Sequence, residues 1–190
     1  MSTIDLKCTC GAVKGTAKNI TPRSGNRVVC CCSDCQAFAE FLGRSGQTLD
    51  ACGGTELYQT SQSQISIHAG LENLSAMRLT PKGMLRWYTS CCNTPVGNSM
   101  AASIPFFGII HTFVDVQDRE KIFGRVRAYC QTQDAIGTVN HPRAHPKFPL
   151  GITVRILRQL VVWKLQGKHK PSAFFDENGK AVAKPLIANN

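Results

Sequence analysis

No apolar run in these 190 residues is long enough to cross a bilayer. The longest, near the C-terminal end, is broken by Arg155, Arg158 and Lys164, whereas a spanning helix needs about 20 apolar positions. The opening stretch MSTIDLKCTCG contains no apolar segment of the kind found in export signals. Internal repeats and low-complexity tracts are absent. No His–Glu or Ser–His–Asp spacing names a general base, and no groove-reading nucleic-acid motif is present. Acidic residues are scarce, 12 against 22 Lys and Arg. The absences set the expectation of a cytoplasmic protein that has neither a membrane nor a nucleic acid as its partner. They leave a homo-oligomer open.

What is present is a chain of single-domain length, or one domain with a sizeable extension, with 43% apolar residues and ten cysteines. Cytosolic thiols stay reduced, so a disulfide framework is not expected, and clustering of the cysteines favours metal. Charge is uneven. Residues 116–190 carry 13 Lys and Arg against five acids, and residues 1–115 carry nine against seven.

Residues 1–115 read as short strands separated by turns. GAVKGTA alternates, NRVVC is β-branched, and SQISIHAG, GMLRWYTS and SIPFFGIIHTFV follow the same pattern. SDCQAFAEFLG predicts a short helix capped at Ser33 or Asp34 and stopped at Gly43. The character changes near residue 116. DREKIFGRVRAYCQTQDAIG predicts a helix ending at Gly137, which would put Cys130 on a helix. The prolines of HPRAHPKFP predict an ordered loop, with His141 and His145 as loop residues. LGITVRILRQLVVWKLQGK predicts a helix with Val154, Leu157, Val161 and Leu165 on one face, widened by Ile156, Leu160 and Trp163. That face is expected to pack on the β core or on a second copy, although its basic flanks permit attachment to a membrane surface. Asn178-Gly179 predicts a hairpin turn. The expectation is an α+β protein with an antiparallel β domain over 1–115. Residues 116–190 are expected to be a basic, mainly helical extension packing on it.

The cysteines fall into three groups. Cys8 and Cys10 sit in CTCG, Cys30, Cys32 and Cys35 form C-x-C-x-x-C, and Cys91 and Cys92 sit in YTSCCNTP. Zinc takes four protein ligands in a closed structural site and three in an open one. The trio has the count of an open site. Cys8 and Cys10 need a second pair, which Cys91 and Cys92 can supply if a sharp turn brings these neighbours to one side. Cys31 is a candidate to close the trio, and Cys52 a candidate replacement ligand or a small buried apolar residue.

CTCG, then C-x-C-x-x-C about twenty residues later, then RWYTSCCNTP resembles the glutathione-dependent formaldehyde-activating enzyme and centromere protein V family. The resemblance covers roughly residues 6–115 and implies a zinc-bearing antiparallel β-tent. It also implies a structural zinc on the first and last cysteine pairs and a second zinc on Cys30, Cys32 and Cys35. In that alignment Asn93 stands at the family's glycine and Thr89 at one of its cysteines, with Cys91 an extra cysteine next door. The activity implied is that of a carbon–sulfur lyase acting on a small thiol or thiol–aldehyde adduct such as S-hydroxymethylglutathione. Cys30, Cys32 and Cys35 would hold the reactive zinc, and Arg27, Arg44 or Arg86 would hold a glutathione carboxylate. The alternatives are a non-catalytic zinc-stabilised binding module and cysteines serving redox chemistry.

Overall fold

A computed structural model describes residues 2–188. The protein is α+β, mostly sheet with few helices. Strands β1 (Ser2–Lys7), β2 (Lys14–Ile20) and β5 (Ile65–Ala69) form a three-stranded antiparallel sheet in the order β1-β2-β5. The larger sheet takes in β3 (Asn26–Cys30), β4 (Thr55–Thr60), β6 (Leu74–Arg78), β7 (Leu85–Thr89), β8 (Pro95–Ser99) and β9 (Phe107–Ile110). Its edges are β10 (Tyr129–Cys130) and β11 (Leu186–Ile187). The strand order is β10-β3-β4-β9-β8-β7-β6-β11. The six central strands pair antiparallel, and the two edge strands pair parallel to β3 and β6.

The larger sheet is covered on both faces, which is why NRVVC and LRWYT have no exposed position. Its inner face carries Trp87, Ile109 and Tyr58 and joins Leu6, Ile20 and Ile65 of the smaller sheet in the main core. Phe174 fills the space between, stacked on Phe107 at 4.1 Å and 5.1 Å from Trp87. Gly97 is required on β8, because a Cβ there would meet the Phe107 ring at 2.3 Å. The outer face is covered by α1 (Ser33–Phe41) through Phe38 and Leu42 against Met77, Tyr88 and Ile110. It is covered further along by α4 (Leu150–Leu165). The short helices α2 (Ser45–Thr48) and α3 (Arg119–Phe123) complete the set among the described residues.

Several expectations need correction. The helix predicted over 118–137 stops at α3, where Gly124 takes φ +76°. Beyond it Ala128 and Cys130 are buried and alternate with half-exposed neighbours, so Cys130 lies on strand β10. Among the described residues, 116–188 are not mainly helical: α3 and α4 have five and 16 residues, and the rest is loop with a single 3-10 turn at Thr132–Asp134 and two short edge strands. The cap of α1 is Cys32, not Ser33 or Asp34. On α4 the predicted apolar face is reversed. Val154, Leu157, Val161 and Leu165 are exposed, and Trp163 is the buried anchor. The hairpin at Asn178-Gly179 forms, with Gly179 at φ +79° and Phe175 bridged to Ala181.

Candidate metal centres

Cys8, Cys10, Cys91 and Cys92 come together although more than 80 residues separate the two pairs. The sulfurs lie 3.6 Å (Cys8–Cys10), 3.9 Å (Cys8–Cys91), 3.4 Å (Cys10–Cys91) and 3.8 Å (Cys91–Cys92) apart. A disulfide needs about 2.05 Å. Four thiolates about 2.3 Å from one zinc at tetrahedral angles lie about 3.8 Å from each other. The observed spacings match the edges of that tetrahedron, and all ten thiols are free.

Local backbone explains how each pair converges. After Cys10, Gly11 takes φ +76°, and its N–H donates to the Cys8 carbonyl at 2.9 Å. The Val13 N–H then donates to Cys8 Sγ at 3.2 Å. Neighbours Cys91 and Cys92 reach one point because the chain turns sharply after β7. Asn93 adopts φ +54° and its N–H closes on the Thr89 carbonyl at 2.7 Å. Asparagine is one of the few side chains that tolerates that region. Thr89 is therefore not a ligand of the group; its hydroxyl lies 3.3 Å from Cys92 Sγ, and that of Thr94 lies 3.1 Å away. Burial works to raise the Cys92 thiol, but hydrogen bonds from Thr89, Thr94 and the Cys10 backbone outweigh it and bring it to about 5. Cys91 goes the other way, to about 12, through burial and its hydrogen bond with Cys10.

Cys30, Cys32 and Cys35 form the second cluster, their sulfurs all within 4.8 Å of one another. Cys30 ends β3, Cys32 caps α1 and Cys35 lies in its first turn. Cys30 and Cys32 sulfurs are 3.4 Å apart. Cys32 is the N-cap of α1, and the partial positive charge of a helix N-terminus favours thiolate. The thiols titrate as a unit. Hydrogen bonds with Cys30 and Cys35 push Cys32 well down, and hydrogen bonds with Cys32 and Cys35, then burial, push Cys30 far up. No fourth His, Cys, Asp or Glu belongs to this group among the described residues. Cys31 is not its fourth member. It is fully buried, with its N–H on the Cys130 carbonyl at 3.0 Å. Cys52 joins neither cluster and its sulfur lies 3.6 Å from the Thr138 carbonyl.

The three arginines separate cleanly. Arg27 pairs with Glu56 at 2.9 Å on the inner side of β3. Arg44 holds the Cys92 carbonyl and so braces the first cluster's turn. Arg86 lies beside the second cluster. Nearly buried, it approaches Cys35 Sγ at 4.0 Å, donates to Asp34 at 3.0 Å and lies 5.7 Å over the Phe38 ring. A buried polar row continues from it across the outer face of the sheet. The register aligns Arg86 with Asn98, Gly108, Gln59 and Asn26 on successive strands. All four side chains in that row are under 7% exposed. Sequence reasoning missed Asn26, Gln59 and Asn98. The available signal was a polar residue at a strand position whose neighbours two away are apolar, as with Val28 after Asn26 and Leu57 before Gln59. His141 and His145 are in the loop and belong to neither group.

An α+β protein with two cysteine clusters that can each coordinate a metal ion is the class defined by this fold and these sites. The chain belongs to the family described as Family of unknown function (DUF6151), which it matches over residues 1–185. No curated protein matches it. It is similar to a Rhodobacter sphaeroides protein whose crystal structure was solved as a structural genomics target. That similarity has a TM-score of 0.44 at 17% identity and covers 65% of this chain and 97% of the other. Among the described residues no helix is long and apolar enough to cross a membrane.

Proposed function

We propose that the protein is a zinc-dependent enzyme of the carbon–sulfur lyase type acting on a small thiol or thiol–aldehyde adduct, with the division of labour between two zinc sites that its resemblance to the glutathione-dependent formaldehyde-activating enzyme and centromere protein V family implies. Cys8, Cys10, Cys91 and Cys92 hold a closed structural zinc, and Cys30, Cys32 and Cys35 hold a reactive one. The observation that carries the reading is the three-sulfur cluster at a helix N-terminus, with the guanidinium of Arg86 against it and, among the described residues, no fourth His, Cys, Asp or Glu in the group. The order of the cysteine motifs supports it as a resemblance. When bound, zinc with three thiolates supplies a place that keeps a substrate thiol ionised at neutral pH. A thiolate so held would be able to add to the carbonyl carbon of a small aldehyde, the carbonyl π pair passing to oxygen, which would take up the proton the thiol released; the reverse would break the same bond. Arg86 contributes positive charge beside three thiolates, which otherwise leave the centre net negative.

Metal analysis of freshly purified protein should return about two zinc ions per chain. Glutathione should raise the thermal midpoint, and Cys32→Ala should abolish that rise and one zinc while leaving the fold intact. Zinc absent from the trio in wild-type protein, or a glutathione response that survives Cys32→Ala, overturns the reading. One observation favours a non-catalytic metal staple instead: Cys30 and Cys35 are part of a buried apolar cluster with Val28 and Leu57, against which Ile152 of α4 packs. If Cys32→Ala unfolds the protein, the staple is correct.

A further inference from the structure

The exposed face of α4 is chemically unusual. At about 100° per residue, Leu150, Val154, Leu157, Val161 and Leu165 fall within a sector of roughly 80°. This stripe faces solvent, with Leu150 78% and Leu165 83% exposed. The opposite side of the helix is the one that docks. Trp163 is buried, Gln159 accepts from Asn26 at 2.7 Å, and Arg155 donates to Asn26 at 2.6 Å. The stripe is therefore not a core face left open by a loosely placed helix.

Cations border the stripe. Arg158 flanks it on one side and Lys164 on the other. Next to Arg158, a hollow of about 430 Å³ is lined by Arg23, Arg155, Arg158 and the edge of Trp163. Burial and then the nearby charge of Arg155 pull the Arg127 guanidinium down from its ordinary value, so positive charge gathers here. On the Lys164 side, an apolar hollow of about 430 Å³ is lined by Ile104, Pro105, Leu160, Val161 and Leu165. From Ala135 to Phe175 the chain contains seven Lys and Arg and not one Asp or Glu.

We propose that α4 is a docking helix for an anionic lipid surface, lying in the interface with its Leu/Val stripe among the acyl chains. The arginines of the first hollow would meet lipid phosphates. Charge selects this occupant. A second copy of the same face would bring Arg155, Arg158 and Lys164 against their like, with no acid to offset them. A nucleic acid would satisfy the cations but leave five large aliphatic side chains in water. A bilayer with anionic headgroups satisfies both. A helix of 16 residues lies in such an interface and does not span it.

The test is co-sedimentation of the whole protein with phosphatidylcholine vesicles, with and without about one-third phosphatidylglycerol. Binding is expected only to the anionic vesicles and should weaken as salt rises. Leu157→Ser/Val161→Ser should weaken it about tenfold or more, and Arg158→Glu about fivefold or more. Circular dichroism melting of both variants should be unchanged. Failure to bind anionic vesicles overturns the proposal. So does binding that the Leu157→Ser/Val161→Ser variant retains, which would leave only a diffuse attraction of cations. A dimer in gel filtration that the same variant dissolves would assign the stripe to a second copy. Release from vesicles by millimolar inorganic phosphate, at matched ionic strength, would assign the arginine hollow to a soluble phosphate. Either result also overturns it.

Discussion

The two cysteine clusters solve the problem of gathering thiols in opposite ways. The first joins distant parts of the chain, and two of its sulfurs, Cys10 and Cys91, are exposed. Its ligands sit on two surface turns, each set by one residue in the left-handed region, Gly11 and Asn93. Metal bound there would tie the smaller sheet to the end of β7 and close a loop of more than 80 residues, the geometry of a staple. The second gathers three ligands from six consecutive residues, so it closes almost no loop and adds little by that route. It has instead what a staple does not need: a helix terminus, a buried arginine and a row of buried amides. On the proposed reading, loop closure assigns stability to the first cluster and reactivity to the second.

The strongest way to break this comparison is to remove exposed sulfurs from the first cluster. Cys10→Ser/Cys91→Ser should cost about 3–5 kcal/mol and lower the thermal midpoint by about 10 °C. Calorimetry checks this against Cys32→Ala, expected to cost about 1–2 kcal/mol. Equal losses would erase the distinction. Next in size is Arg86→Ala, which removes a buried cation from the second cluster. It should weaken glutathione binding about tenfold and cost about 2 kcal/mol, with Arg86→Lys recovering part of the binding, because a lysine keeps the charge but not the fork. Isothermal titration reads the first effect and chemical denaturation the second.

A smaller effect concerns pH and sharpens the role of the first cluster. In chelator-treated protein the Cys92 thiol lies below its ordinary value and that of buried His111 does too. Both groups are depressed in the folded state. Their contribution is therefore fully present above the unfolded values and fades as pH falls, for Cys92 down through about 5. The stability of the metal-free protein should rise from pH 5.5 to pH 8.5, measured by thermal unfolding; a falling profile would contradict the hydrogen-bond account of Cys92. The smallest effect is the control. Cys52→Ser should change stability by under about 0.5 kcal/mol and leave metal content as it was.

Much of both clusters was legible because their ligands lie close in sequence and their turns have local signatures. CTCG announces its glycine, and C-x-C-x-x-C ahead of a helical segment places three thiols at a helix start. NRVVC and LRWYT were legible as strands because β-branched and aromatic residues pack on pleated surfaces. What was hidden is long-range. Two-residue strands such as Tyr129–Cys130 carry no periodicity of their own, and only their pairing with β3 makes them strands. Helix α4 was read correctly as a helix and wrongly as to its buried side. It is apolar nearly all round, so the sequence pattern offers two faces, and the choice is made by Asn26 reaching out to Gln159 and Arg155. The polar row escaped because each member looks like an ordinary strand residue until the register lines them up.

The position of Phe174 bears on how the protein is made. Its ring is the filling between Trp87 and Phe107, yet it is translated about ninety residues after the first of them and some seventy after the second. A nascent chain that has emerged only as far as α4 holds every strand of both sheets except the edge strand β11, but not the side chain that seals them, and it presents bare aromatic surface to chaperones. Completion of the interior is consequently a late event in synthesis, and a nonsense codon anywhere before position 174 yields a product with an open heart.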